Sequence, residues 1–286
     1  MKKQNSKNSL RMRSVQKLFS NRLAMVGLCC LVLIILACML APVLTPYDPM
    51  AINPKNKLAP MSWEHPLGTD QLGRDLLSRI LYGGRTTIAI SLISAALTGL
   101  LGVILGCIAG FFGGKVDSAI RTSAEFIGCF PDLILTMIIM AFLGQTVYWI
   151  MAIWIFTGWM SPMRMVRSKI LSLKEEPYVD SCRANGVGSK SIMFRHLLPN
   201  TIGVVIVNIT SNVAGRVLAE STLSFLGLGI SPSNPSWGNI INAAKNLNVM
   251  INSPQLWLIP GVVISIFVLS VNFFGDGLRD ALDVTQ

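Results

Sequence analysis

Charge is scarce in this sequence: only 13% of its 286 residues are Asp, Glu, Lys or Arg, whereas 52% are hydrophobic. A soluble domain carries about a quarter charged residues, so a soluble domain is excluded. The apolar residues form continuous runs long enough to cross a bilayer, which takes about 20 helical residues. Strands of a transmembrane barrel would instead alternate apolar and polar residues. The composition therefore predicts an all-α integral membrane protein.

Signatures of nucleotide binding and catalysis are missing as well. The phosphate-binding pattern GxxxxGK[ST] does not occur, and its nearest approach, residues 186–191, has Ser189 where a glycine is required. No GxGxxG sequence opens a predicted helix, and the sequence contains no recognisable catalytic triad or catalytic carboxylate pair. We therefore expect a chain that is not an enzyme and holds no cofactor. If it moves solute on ATP, another protein must be the ATPase.

Cysteine and histidine give no sign of a metal or disulfide site. The six cysteines form no CxxC pair, and none falls in a segment predicted outside the cell. Disulfides and a structural zinc are therefore not expected. The two histidines, His65 and His196, stand alone in the sequence, so no metal site is predicted.

The net charge of +10 is concentrated in two segments. Residues 1–22 hold seven of the 24 basic residues and no acidic one, and residues 164–195 hold seven more. An excess of Lys and Arg on cytoplasmic segments is the positive-inside pattern of membrane proteins. Neither segment interleaves aromatic residues with its charges, so nucleic acid is not an expected partner.

Six transmembrane helices are predicted, with the N-terminus and the C-terminus in the cytoplasm. A basic cytoplasmic segment (1–22) precedes the first span (23–44), and a cytoplasmic tail (276–286) follows the last. The extracellular loop 45–85 is predicted to end in an amphipathic helix on the outer surface. The core, residues 86–275, should contain five helices, at about 86–112, 131–143, 147–160, 201–228 and 256–274.

Details of these helices are also predicted. Thr69 or Asp70 should cap the amphipathic helix, which should end near Gly83 and Gly84. The third and fourth spans are joined by only a few residues, so they should form an antiparallel hairpin. The loop 229–255 should contain one short helix, near residues 240–246.

Small residues recur at intervals of three or four along the second span. They include Gly99, Gly102, Gly106 and Gly110. Such a stripe lets another helix approach closely, so bundle packing is favoured over a role in a pore.

Charges within the predicted spans are few. Arg216 and Glu220 are four residues apart in the fifth span and share a helix face. Charge at membrane depth is costly and usually faces a partner or a water-filled path. Two interpretations remain open, an intrahelical ion pair or a polar lining of a translocation path. Glu125 and Asp132 lie near the membrane edge and are interpreted as caps or interface groups.

One long polar segment, residues 175–200, interrupts the apolar runs. Pro177 should begin a helix that Gly186 and Gly188 break, and Ser189 should cap a second helix over 190–198. Pro199 should then begin the fifth span. An isolated segment this short would not stay helical in water, so it is expected to dock on a partner.

This segment resembles the EAA loop of ABC importer permeases, whose pattern is EAA, three residues, Gly, nine residues, then I-x-L-P. The spacing matches throughout. The EAA positions are taken by Asp180, Ser181 and Cys182, the glycine by Gly186, and the closing positions by His196, Leu198 and Pro199.

Further stretches resemble one branch of that family, the dipeptide, oligopeptide and nickel permeases. They are residues 65–75 (HPLGTDQLGRD), 223–229 (LSFLGLG), 235–238 (PSWG) and 275–283 (GDGLRDALD). Their order points to the second, C-type permease of the pair.

The resemblance implies a type I ABC importer permease in the bacterial plasma membrane. Its partners would be a sister permease that completes a heterodimer, two cytoplasmic ATPases that bind ATP and Mg²⁺, and an extracellular or lipid-anchored solute-binding protein. The solute would be a peptide, nickel or a metal–chelate (metallophore) complex. Contact with the ATPase would rest mainly on Asp180, Cys182, Gly186 and Leu198. The alternatives are an ATP-independent secondary transporter or channel, and a membrane scaffold.

Overall fold

The computed structural model describes residues 16–282, so parts of the predicted N-terminal segment and tail lie outside the described residues. Within this range the chain is helical and forms no sheet. Its main helices are α1 Arg22–Met39, α2 Leu76–Phe112, α3 Gly114–Gly128, α4 Asp132–Leu143, α5 Val147–Gly158, α6 Met160–Lys174, α7 Pro177–Ala184, α8 Ile202–Phe225, α9 Trp237–Ala243, α10 Leu247–Asn252 and α11 Gln255–Leu282.

Four helices of the described range, α1, α2, α8 and α11, are long and apolar enough to cross a membrane. The pair α3 and α4, bent by 71° at residues 129–131, would make a fifth span if it counts as one. The fold class is therefore all-α with four or five candidate spans. Six spans and cytoplasmic termini remain predictions.

The predicted amphipathic helix ending near Gly83 and Gly84 is wrong, because α2 runs through both glycines without a break. A Cβ added at Gly83 would lie 3.1 Å from the backbone of Ser236, and one at Gly84 would lie 3.0 Å from the Trp237 ring. Close packing of the chain around α9 therefore outweighs the low helix propensity of glycine. The predicted cap is wrong as well, since the Asp75 side chain accepts the hydrogen bond that caps α2.

The fourth predicted span, 147–160, agrees within two residues with α5, Val147–Gly158. A further helix that the sequence did not predict, α6, begins at Met160 and includes Pro162 in its first turn. The first N–H groups of a helix have no intrahelical acceptor, so a proline there removes no hydrogen bond. The predicted hairpin is confirmed, because α4 and α5 pack against each other across residues 144–146.

The glycine stripe of α2 packs against α6, as bundle packing predicts. A Cβ at Gly102 would lie 2.5 Å from the Pro162 side chain, and one at Gly106 would lie 2.7 Å from the carbonyl oxygen of Met163. Helix α2 also contacts α1, α5 and α8, and α11 packs between α1 and α8. The long helix α2 is thus the element around which the others assemble.

The C-terminal part of the chain contains more helix than the sequence predicts. The segment 229–255 contains two short helices, α9 and α10, rather than one. Helix α11 continues past the predicted end of the sixth span at Phe274 as far as Leu282.

Candidate functional site

The segment 175–200, which we call the coupling loop, is attached to the helix bundle by a buried apolar base. Four of its side chains, Val179, Ile192, Met193 and Leu197, are at most 5% exposed. They pack against side chains at the ends of α2 and α6, namely Cys107, Phe111, Val166 and Ile170. The loop therefore projects from the bundle as a body whose base is fixed to these two helices.

Gly186 closes α7 in the way the sequence predicts. Its N–H donates to the carbonyl of Arg183 at 3.0 Å, and the N–H of Val187 donates to the carbonyl of Cys182 at 3.0 Å. This pair of hydrogen bonds is the Schellman motif, which needs a residue with positive φ between helix and turn. Gly186 has φ +74°, which glycine adopts without strain.

The second half of the coupling loop differs from the prediction. Gly188 precedes the first turn, Ser189–Ser191, and no side chain caps it, so Ser189 is not the cap. The chain continues as a π-helix, Ile192–Leu197, and a 3₁₀ turn, Leu198–Asn200. Because Pro199 belongs to this turn, it does not begin α8, which starts at Ile202.

The predicted coupling residues fall into two groups, one exposed on the surface of the loop and one partly buried in it. Asp180, Ser181, Gly186 and Pro199 are exposed, and Asp180 pairs with Arg183 at 3.0 Å on the surface. Three others are only half-exposed: Cys182, His196 and Leu198. Cys182 and Leu198 pack against the buried base of the loop, so they support its shape from within.

Sequence reasoning missed exposed side chains beside these residues. Phe194 is 55% exposed in the π-helix, and Tyr178 is 38% exposed on α7. Partial burial, together with the charge of Glu176, raises the pKa of Tyr178, so its hydroxyl stays protonated. The basic residues Arg183, Lys190 and Arg195 are also exposed. The exposed face of the loop thus combines aromatic and basic groups, a composition that suits a protein partner.

A second feature is a cleft of about 790 Å³ between α4, α5, α6 and α8. Its volume lies within the roughly 300–1,000 Å³ that is typical of small-molecule sites. The lining is mostly small or polar: Gly128, Asp132, Thr157, Gly158, Met160, Ser161, Arg164, Met165, Asn208, Ser211, Asn212, Gly215, Arg216 and Ala219.

Arg216 lies on the wall of this cleft. Its Nη2 donates to the carbonyl oxygen of Trp154 at 2.9 Å, and its guanidinium lies 4.9 Å from the centre of the Trp154 ring. Its Nη1 lies 3.5 Å from Oδ2 of Asp132, and Oδ1 of the same carboxylate accepts a hydrogen bond from the Thr157 hydroxyl. An added Cβ at Gly158 would overlap the guanidinium, so the glycine makes room for it. Asp132 is thus a cleft residue, not only a group at a helix end.

Glu220 does not line the cleft, so the structure does not bring Arg216 and Glu220 to one polar surface. Glu220 is fully buried and accepts hydrogen bonds from Ser224 and Ser236, each at 2.7 Å. Thr87, at 3.4 Å, and the backbone of Gly238 also bond to this carboxylate. Nor do Arg216 and Glu220 form the alternative intrahelical ion pair, because Arg216 turns toward Asp132. Glu220 instead joins α8 to α2 and α9.

Replacing Glu220 by Ala is expected to destabilise the protein by about 2 kcal/mol or more, because several buried donors lose their acceptor. Glu220→Gln keeps the shape and an accepting oxygen, so its loss should be clearly smaller. Thermal unfolding of the detergent-purified protein measures both variants. Equal unfolding temperatures for the two would contradict this role of the carboxylate.

Three of the four other stretches singled out in the sequence, residues 65–75, 223–229 and 235–238, meet in space. The Nδ1 atom of His65 lies 2.9 Å from Oδ1 of Asp75, so the histidine fixes the orientation of the carboxylate that caps α2. Trp237 of the PSWG sequence donates from its indole nitrogen to the carbonyl of Ile80 at 3.0 Å. Asn242 donates to the carbonyl of Ser224 at 2.6 Å. These three stretches form one scaffold at the end of the bundle opposite the base of the coupling loop on α2. The fourth stretch, 275–283, lies apart from them: as far as Leu282 it is the end of α11, where Gly277 packs against Ala24 of α1 and Leu282 lies beside Gly203 of α8.

Among residues 16–282, no group of three or more His, Cys, Asp and Glu side chains is placed to hold a metal ion.

Comparison with known proteins decides the family. Residues 102–284 match the model of the binding-protein-dependent transport system inner membrane component, and residues 9–60 match the N-terminal transmembrane domain of oligopeptide transport permease C. The chain belongs to this family of permeases. The predicted C-type permease of the peptide importers is thereby confirmed, and this permease is a multi-pass integral membrane protein.

Individual relatives match nearly the whole permease. The oligopeptide transport system permease protein OppC of Bacillus subtilis is 38% identical over 264 residues, covering 92% of this chain and 86% of the relative. A dipeptide transport system permease protein DppC of Alkalihalophilus pseudofirmus is 35% identical, covering 94% and 88%. A putative peptide permease protein of Brucella suis is 35% identical, covering 95% and 90%.

Proposed function

We propose that this permease is one of two membrane subunits of an ATP-driven peptide importer in the bacterial plasma membrane. Two cytoplasmic subunits would bind ATP and Mg²⁺, and a solute-binding protein would deliver the peptide from outside. The coupling loop carries this proposal, because it joins a buried base on α2 and α6 to an exposed polar and aromatic face. The names of the relatives, oligopeptide and dipeptide permeases, support peptide as the solute.

The loop is proposed to lie in a groove of the ATPase, a helix-in-groove contact. Closure of the ATPase pair on ATP would move the loop, and the loop would carry α2 and α6 with it. Rigid-body motion of this kind is a standard way to switch between two states. The polar cleft beside α8 would then form one wall of the translocation path, and the sister permease would provide the other.

The direct test is uptake into proteoliposomes that contain this permease, its sister permease and the two ATPases. With the binding protein and a labelled dipeptide outside, ATP inside should drive accumulation at least tenfold above the same vesicles without ATP. Leaving out the binding protein provides the control. Transport by this chain alone, without ATPases, would favour a secondary transporter or channel, and absence of any transport would favour a scaffold.

A parallel assay separates the solutes that the sequence left open. Labelled nickel and a nickel–chelate complex are offered in the same vesicles, with the same binding protein. Peptide uptake without nickel uptake is expected. Accumulation of the nickel complex but not of the dipeptide would overturn the assignment of peptide as solute.

A further inference from the structure

The guanidinium of Arg216 has more hydrogen-bonding capacity than its neighbours use. An arginine has five N–H donors. Within the part of the chain that the structure describes, Arg216 donates to Trp154 and Asp132, and its Nε has no partner. Its side chain is only 8% exposed, yet it lies on the cleft wall. Because the guanidinium lies on the cleft wall and its donors are only partly used, it can bind an anion that enters the cleft.

Asp132 holds this arginine only loosely. The distance of 3.5 Å between Nη1 and Oδ2 is at the outer limit of a hydrogen bond, whereas a well-formed arginine–carboxylate pair lies at about 2.7–2.9 Å. The Asp132 side chain is 49% exposed to the cleft. It also receives the hydroxyl of Thr157, so it has a second partner if the arginine turns away.

Apart from the exposed Arg164 on α6, the polar side chains on the rest of the cleft surface are neutral hydrogen-bonding groups. Helix α8 presents Asn208, Ser211 and Asn212 to it, and α6 presents Ser161. These side chains offer both donors and acceptors, which suits the N–H and C=O groups of a peptide backbone. The glycines at 128 and 215 keep the space between them open.

We propose that Arg216 is a transient binding site for the C-terminal carboxylate of a peptide crossing the membrane, with Asp132 as the counter-ion that the peptide displaces. This inference rests on the proposed function and names the part of the solute that the cleft recognises. Arginine binds carboxylate through two parallel hydrogen bonds, a geometry that the loose contact with Asp132 leaves unused. The site acts during passage and is separate from recognition by the binding protein.

The test compares uptake of a labelled dipeptide with that of its C-terminal amide, in vesicles holding the complete complex. Calorimetry first identifies a dipeptide amide that the binding protein binds. Both solutes are then supplied at concentrations that saturate the binding protein. The ratio of the two rates is measured for the wild type and for Arg216→Gln. The binding protein and the ATPases are identical in both, so their own preferences cancel. We expect the acid-to-amide ratio to fall about tenfold in Arg216→Gln, since a charge-assisted hydrogen bond is lost.

Arg164→Gln is the matched control, because Arg164 lines the same cleft but is exposed. Because Arg164 is also a cation on the cleft, this variant tests whether any arginine there suffices, and its acid-to-amide ratio should fall clearly less than that of Arg216→Gln. Asp132→Asn should keep or raise the acid-to-amide ratio, because it frees the arginine. If the Arg216–Asp132 pair had only a structural role, Asp132→Asn and Arg216→Gln would each slow the uptake of the acid and of the amide to the same extent. If Arg216→Gln does not assemble, Arg216→Lys carries the test and should lower the ratio about threefold, since lysine keeps the charge without the fork.

An unchanged ratio in Arg216→Gln, or an equal fall in Arg164→Gln, would overturn the carboxylate site. ATP-dependent uptake of the dipeptide by the wild type would still stand in either case. If the wild type takes up neither peptide, the proposed function itself fails.

Discussion

Replacing Gly186 by Asp is expected to leave the permease in the membrane but to cut peptide uptake per ATP hydrolysed by tenfold or more. The glycine has φ +74°, and a residue with a Cβ resists this conformation by about 1–2 kcal/mol. The Schellman hydrogen bonds of Gly186 and Val187 fix the direction in which the chain leaves α7. Loss of that turn moves the exposed end of α7 while its base stays buried, so the ATPase contact no longer transmits motion.

The measurement is the ratio of uptake to ATP hydrolysis in proteoliposomes. The pair Gly186→Ala and Gly188→Ala separates backbone strain from the added charge. A Cβ at either glycine meets open space, but Gly188 has an ordinary φ of −63°. Gly188→Ala should therefore couple normally, whereas Gly186→Ala should show part of the loss. Wild-type uptake in Gly186→Asp would refute docking through this loop.

Replacing Gly106 by Val is expected to destabilise the permease by about 3 kcal/mol or more, at the upper end of the cost of overpacking. A Cβ at this position would lie 2.7 Å from the carbonyl oxygen of Met163 and 2.9 Å from the Cβ of Val166. The first of these is a backbone atom and cannot move aside as a side chain does. Helices α2 and α6 would have to separate at the place where they meet the base of the coupling loop.

Thermal unfolding of the detergent-purified permease checks this prediction. Gly261→Val is the matched control, since Gly261 also lies inside a long apolar helix but a Cβ there meets nothing within 4 Å. Its unfolding temperature should stay within a few degrees of the wild type. Equal unfolding temperatures for Gly106→Val and the wild type would show that α2 and α6 do not depend on their close approach.

Features that depend on local spacing could be predicted from the sequence. The helix starting at Pro177, the turn at Gly186 and the packing stripe of α2 all follow from intervals of a few residues. The cleft could not be predicted, because Asp132 and Arg216 are 84 residues apart and meet only through the packing of α4 on α8. No periodicity within one helix reports such a contact.

The same reason explains why Arg216 and Glu220 form no ion pair. Glu220 lies four residues after Arg216 on the same helix face, but neither side chain turns toward the other. Each forms hydrogen bonds with groups elsewhere in the fold instead. For Glu220 these partners lie on α2 and in the segment that leads into α9. The break predicted at Gly83 and Gly84 failed for a related reason, since glycine there serves the approach of Trp237 rather than a turn.

Helix α6 runs without a break from the cleft to the coupling loop, so a tilt at one end of the helix would move the other end. Met160 and Ser161 at its first turn line the cleft, and its last residue, Lys174, stands next to the loop. Its 15 residues span about 22 Å at 1.5 Å per residue. A tilt of about 5° at the loop therefore displaces the cleft wall by about 2 Å over that length. In the proposed importer, small movements of the ATPase subunits would thus suffice to widen or narrow the cleft, and α2 would move together with α6 because its glycine stripe packs closely along that helix.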